Sequence, residues 1–77
     1  MERDVLSAFG DRLRTIRTDK GLSQERLALK AGLDRTYISG VERGQRNISL
    51  LNLSCLAVAL DMRLPELLDF DVEGNDG

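Results

Sequence analysis

Seventy-seven residues with 11 Lys/Arg, 13 Asp/Glu, no His and a single Cys, a formal net charge of -2, describe one small domain whose modest core makes dimerisation a natural remedy for marginal stability. Without His, and with Cys55 read as a small core residue inside the apolar run LNLSCLAVAL, neither a disulfide framework nor a Cys/His metal site can be built, and no cofactor is expected. No apolar run reaches the roughly 18 residues of a membrane span and MERDVLSAF lacks the apolar h-region of a signal peptide, so the expected protein is soluble and cytoplasmic.

Along the chain, Val5, Phe9, Leu13 and Ile16 recur at spacings of four and three, which predicts a first helix from about Asp4 to Lys20 with those residues on one stripe. Gly21 stops it. Ser23 caps a second helix of about eight residues that turns Leu27, Ala28 and Ala31 inward and ends at Gly32. Leu33 follows as an apolar plug, and Asp34 caps a third helix that starts at Arg35, points Ile38 and Val41 inward and closes at Gly44. Two short helices joined by a tight glycine turn form a helix-turn-helix, in which the small Ala28 lets the two axes approach.

Ser49 caps a fourth helix, apolar on nearly every side through Leu50, Leu51, Leu53, Leu56, Ala57, Val58 and Leu60. Pro65 suits the first turn of a fifth, PELLDF, because its missing N–H would go unpaired there anyway. The expectation is an all-α, compact bundle of about five helices: one helix-turn-helix domain over residues 4–70 with a C-terminal dimerisation helix, and a disordered acidic tail over 71–77.

The net charge conceals a marked asymmetry. From Asp11 to Arg46 there are nine Lys/Arg against five Asp/Glu, a local +4, whereas Asn47 to Gly77 holds one against six, a local -5. A basic middle beside an acidic end reads as an interaction signal. With Ile38 and Val41 turned inward, Arg35, Thr36 and Ser39 face away from the core on the N-terminal half of the third helix, where side chains can enter a major groove and meet base edges. Arg43, Gln45, Arg46 and Asn47 follow in a loop suited to the sugar-phosphate backbone. Gln24, with the free amides of its helix end, can hold a phosphate oxygen or simply belong to the polar surface. Tyr37 lies between the faces and suits either a phosphate contact or packing.

The stretch LRTIRTDKGLSQERLALKAGLDRTYISGVERGQRNISL resembles the phage-repressor type of helix-turn-helix domain, the xenobiotic-response-element family of bacterial regulators. The resemblance rests on Leu13 and Arg14 with Arg17, on GLSQ, on Leu27 and Ala28, and on Ile38 to Gly44, and it covers about Phe9 to Phe70. It implies that Arg17 forms a structural ion pair with Glu42, clamping the first helix to the third. Within the family, LDRTYISGVERGQRN with a short helical tail resembles the controller proteins of restriction-modification systems. That resemblance implies DNA contacts by Arg35, Thr36, Tyr37 and Arg46, and dimers on paired sites. Gly40 leaves no side chain where many members of the wider family place a base-reading residue.

The leucine-rich end completes the expectation. Leu53, Leu56, Leu64, Leu67, Leu68 and Phe70 make an apolar stripe read as a homodimer interface, the alternative being the domain's own core. A twofold axis would set two recognition helices about one DNA turn, roughly 34 Å, apart on palindromic half-sites of a double-stranded operator. Acidic Glu66, Asp69, Asp71 and Glu73 would sit away from DNA or near RNA polymerase, a further possible partner. The rival reading is an antitoxin, or another interaction protein that binds a polypeptide through the leucine-rich tail. Catalysis and metal binding find no constellation of His, paired carboxylates or exposed thiol.

Overall fold

In the computed structural model, which describes residues 4–72, each of the first four helices starts on a short polar side chain that accepts an otherwise unpaired amide. Helix α1 (Val5–Asp19) is capped by Asp4, whose Oδ1 accepts from the Ser7 amide at 2.8 Å. Ser23 caps α2 (Gln24–Ala31), Asp34 caps α3 (Arg35–Glu42) and Ser49 caps α4 (Leu50–Ala59). No strand occurs among the described residues. The acidic tail falls, from residue 73 onward, outside the described residues.

Helix ends differ in how they stop. Gly32 adopts a left-handed φ of 70°, and the Leu33 amide reaches back to the Ala28 carbonyl at 2.9 Å, closing the turn between α2 and α3. Helix α4 has no glycine to end it; Asp61 takes the left-handed conformation instead, with φ 56°, which a short polar side chain tolerates. Helix α5 (Leu64–Leu67) begins one residue before the predicted PELLDF and ends three before Phe70. Its first turn is held by the Glu66 carboxylate, which accepts the Arg63 amide at 2.9 Å, and Arg12 of α1 donates from Nη2 to the Glu66 carbonyl at 2.7 Å.

The core gathers the inward faces of all five helices. Leu13, Leu27, Ile38, Val41, Leu56, Leu60 and Leu67 are its most enclosed side chains. Helix α3 packs on α1 and α2, while α4 lies against α2 and α5. Four residues of the expected apolar stripes lie outside this core. Val5 is exposed because α1 begins beyond the reach of the core, and Leu50, Leu51 and Val58 of α4 face outward. Cys55 is only half-buried, so it borders the core rather than filling it.

The same packing corrects part of the expected dimer stripe. Leu56 and Leu67 are fully enclosed within the one chain and cannot meet a second copy. Leu53, Leu64 and Phe70 are half-buried against the core, with the Phe70 ring 6.0 Å from that of Phe9, and Leu68 retains a partly open side. The alternative reading, that the stripe is the domain's own core, holds for those two leucines.

Candidate nucleic-acid interface

Helix α3 divides its residues between two tasks by position alone. Ile38, Val41 and Glu42 point inward and fix the helix, leaving Arg35, Thr36 and Ser39 on the opposite side. Its start is preset by Asp34, whose Oδ1 accepts both the Thr36 amide at 2.8 Å and the Thr36 hydroxyl at 2.7 Å. Those two bonds, the hydroxyl first, hold the Asp34 carboxyl below the usual carboxylate range, with a smaller push from the Arg35 charge, so the cap stays ionised at neutral pH. Thr36 therefore presents its methyl and the hydroxyl lone pairs outward. Among the described residues, no hydrogen bond or ion pair engages the Arg35 guanidinium, which is exposed at the first position of the helix.

The ion pair implied by the family resemblance is present. Arg17 donates from Nε to Glu42 Oε2 at 2.6 Å and from Nη2 to Oε1 at 3.1 Å, a two-pronged contact, while Nη1 donates to the Leu22 carbonyl at 2.7 Å. Gln24 joins the cluster by donating its Nε2 to Glu42 Oε1 at 3.0 Å. One carboxylate thus ties α3 to α1 and to the start of α2, while Arg17 ties in the turn after α1 through Leu22. Gln24 keeps a second amide hydrogen at the mouth of this cluster, where α2's free amides also open outward.

Beyond α3, Arg43 bridges two other expected contacts. Its Nη1 donates to Ser39 Oγ at 2.6 Å and its Nε to Gln45 Oε1 at 3.2 Å, which brings Ser39, Arg43 and Gln45 into one exposed polar cluster. Asn47 uses Oδ1 to accept the Ile48 amide at 3.0 Å and leaves its Nδ2 available. The Tyr37 hydroxyl is engaged on both sides, donating to the Asn47 carbonyl at 3.2 Å and accepting from Asn52 Nδ2 at 3.2 Å. Its one proton is directed at the protein, so a phosphate contact from Tyr37 requires that bond to open.

Two residues that the linear pattern does not single out shape this surface. Asn52 of α4 fixes the Tyr37 hydroxyl, and nothing in its local sequence marks it. Gly10 of α1 lies so close to α3 that a Cβ there would fall 2.5 Å from the Glu42 carbonyl oxygen and 2.6 Å from that of Val41. The space above Gly40 is also filled, by the stem of Arg46, so the missing side chain is replaced rather than absent. No cluster of metal-ligating side chains and no helix long and apolar enough to cross a membrane occurs among the described residues.

Comparison with known proteins agrees with this geometry. A family model described as helix-turn-helix matches residues 13–67. Control protein C.BamHI of Bacillus amyloliquefaciens is 45% identical over 76 residues, covering 97% of this chain and 94% of its own. The crystal structure of the restriction-modification controller protein C.AhdI from Aeromonas hydrophila aligns with a TM-score of 0.79 at 63% identity, over 80% of this chain and 94% of that one. SinR, a master regulator for biofilm formation solved in complex with DNA, aligns with a TM-score of 0.74 at 37% identity, over 79% of this chain and 98% of that one.

Proposed function

The chain belongs to the helix-turn-helix regulators and, among them, to the control proteins of restriction-modification systems, and from that premise we propose that it binds a double-stranded operator as a homodimer in the cytoplasm and regulates transcription there. The observation that carries this reading is the division of α3: its inward residues are locked by core and clamp, while Arg35 and Thr36 are exposed on its first turn and the half-buried Ser39 follows them outside the buried core. Arg35 is suited to donate two bonds to guanine O6 and N7, and the Thr36 methyl to meet thymine. Arg43, Gln45, Arg46 and Asn47 flank the helix end, where they serve the phosphate backbone, and Gln24 does so from α2.

The second copy is best received on α4. Leu51 and Val58 are seven residues apart on one face, 73% and 77% exposed, with Leu50 beside them and Leu68 of the α5 end also open. Such residues on a ten-residue helix favour a covered face over a solvated one. Glu66, Asp69 and Asp71, at the acidic end, are left for a protein such as RNA polymerase. Toxin binding through the leucine-rich tail has less support, since two of the six side chains it would use are internal.

The test is a selection of random duplexes on the purified protein at about 0.15 M salt, read by sequencing. The expected result is a palindromic pair of half-sites spaced by about one helical turn. No enrichment over input would overturn the DNA-binding reading.

A further inference from the structure

Gly40 is a glycine in the interior of a helix, on the side that faces away from the core, and yet it is buried. What buries it is Arg46. The stem of that side chain runs back across α3 from the following loop, with its Cγ too close to the position of a Gly40 Cβ for both to stay and its Cδ and Cβ only 3.4 and 3.5 Å from that position. The guanidinium then lies over the Tyr37 ring, its carbon 5.2 Å from the ring centroid. Tyr37 is itself held from two directions by Asn47 and Asn52. The loop closes on the same helix, since the Gln45 amide donates to the Gly40 carbonyl at 2.9 Å.

These contacts form a seat with a notch at one end and an aromatic plate at the other. A long cationic side chain on a loop ordinarily samples many rotamers, and ordering it on binding lowers affinity. Here the stem is laid down before any ligand arrives. We propose that Gly40 is a positioning residue for nucleic-acid binding: the absence of its Cβ seats Arg46 across the outward face of α3, so that Arg46 meets DNA as a preset member of the recognition-helix surface together with Arg35. This rests on the DNA-binding reading above and adds to it a residue that touches no ligand. It also moves Arg46 from a loop residue serving the phosphate backbone to a fixed cation on the helix.

Gly40→Ala provides the test, because the added methyl blocks the seat while Ala is the better helix former. The thermal midpoint is expected to stay level or rise. In the free protein, the Arg46 γ and δ proton resonances, shifted by the ring of the chain's one Tyr, are expected to move toward unstructured values. On the selected operator, Gly40→Ala is expected to weaken binding on the order of tenfold, close to the effect of Arg46→Ala, and the double variant to bind no worse than Arg46→Ala alone.

Wild-type affinity in Gly40→Ala, or an equal loss in the Arg46→Ala background, would overturn the proposal while leaving DNA binding intact. Unmoved Arg46 resonances would overturn it without any DNA present. A lowered midpoint would also count against it, since the methyl would then be accommodated by displacing the helix instead of Arg46. Failure of the wild type to bind any duplex would remove the DNA-binding reading itself, a separate outcome.

Discussion

Glu42 is a carboxylate at 3% exposure on the helix that carries the outward Arg35, and its donors come from α1 and α2. A buried charge survives only when paired, and the attraction within a pair is largely offset by the loss of hydration on both sides. The pair therefore adds little net stability, while breaking it on one side is costly. Arg17→Met is expected to destabilise the domain by about 3 to 5 kcal/mol, because Glu42 is left with one neutral donor. Arg17→Met combined with Glu42→Leu is expected to recover a large part of that loss. Urea unfolding of both variants checks this, and a single-variant loss under about 1 kcal/mol would show that water reaches the carboxylate. At this scale the clamp was legible only through the family resemblance, since Arg17 and Glu42 lie 25 residues apart on different helices. The engagement of Tyr37 with Asn52 was not, since it joins α3 to α4 and no spacing rule links them.

Between elements, the close approach of α1 to α3 depends on a side chain that is absent. A methyl at Gly10 would meet two backbone carbonyls, which cannot move aside as a flexible side chain can. Gly10→Ala is thus expected to cost about 1 to 3 kcal/mol in spite of the better helix propensity of Ala, the sign expected when a tight contact is overfilled. Thermal unfolding reads the sign directly, and a stabilised Gly10→Ala would mean that α1 is free to shift outward. The helix starts were legible element by element, because Ser23, Asp34 and Ser49 act on amides two or three residues away. The orientation of α4 was not. A helix apolar on nearly all sides gives periodicity no contrast, so the enclosed Leu56 and the outward Leu51 look alike until α2 and α5 are in place. The longer expectation for α5 has its own cause: Leu68 and Phe70 extend the apolar pattern past Leu67, but the backbone does not continue the helix.

At the scale of the whole molecule, the outward apolar residues of α4 make the proposed dimer testable. Leu51→Asp with Val58→Asp is expected to convert a dimer to a monomer in sedimentation without loss of helical circular dichroism, because both residues are outward on α4. Leu67→Asp is expected to unfold the domain instead, since Leu67 is fully enclosed. A dimer that persists in the α4 variant would put the interface elsewhere. The charge asymmetry was legible from the outset; the α3 face and its following loop carry three of the basic middle's nine cations, Arg35, Arg43 and Arg46, whereas the acidic end begins in α5 and runs past it.

The division of α3 into a locked inner side and an unpacked outer side also bears on how such a protein changes over generations. Most substitutions are removed because they push a marginal domain below the threshold for staying folded. Arg35 is exposed and makes no hydrogen bond within the domain, so replacements there escape that filter and are judged by the operator alone. New operator preferences can therefore accumulate one residue at a time without a compensating stabiliser, while Arg46 is restrained by its dependence on Gly40 and Tyr37.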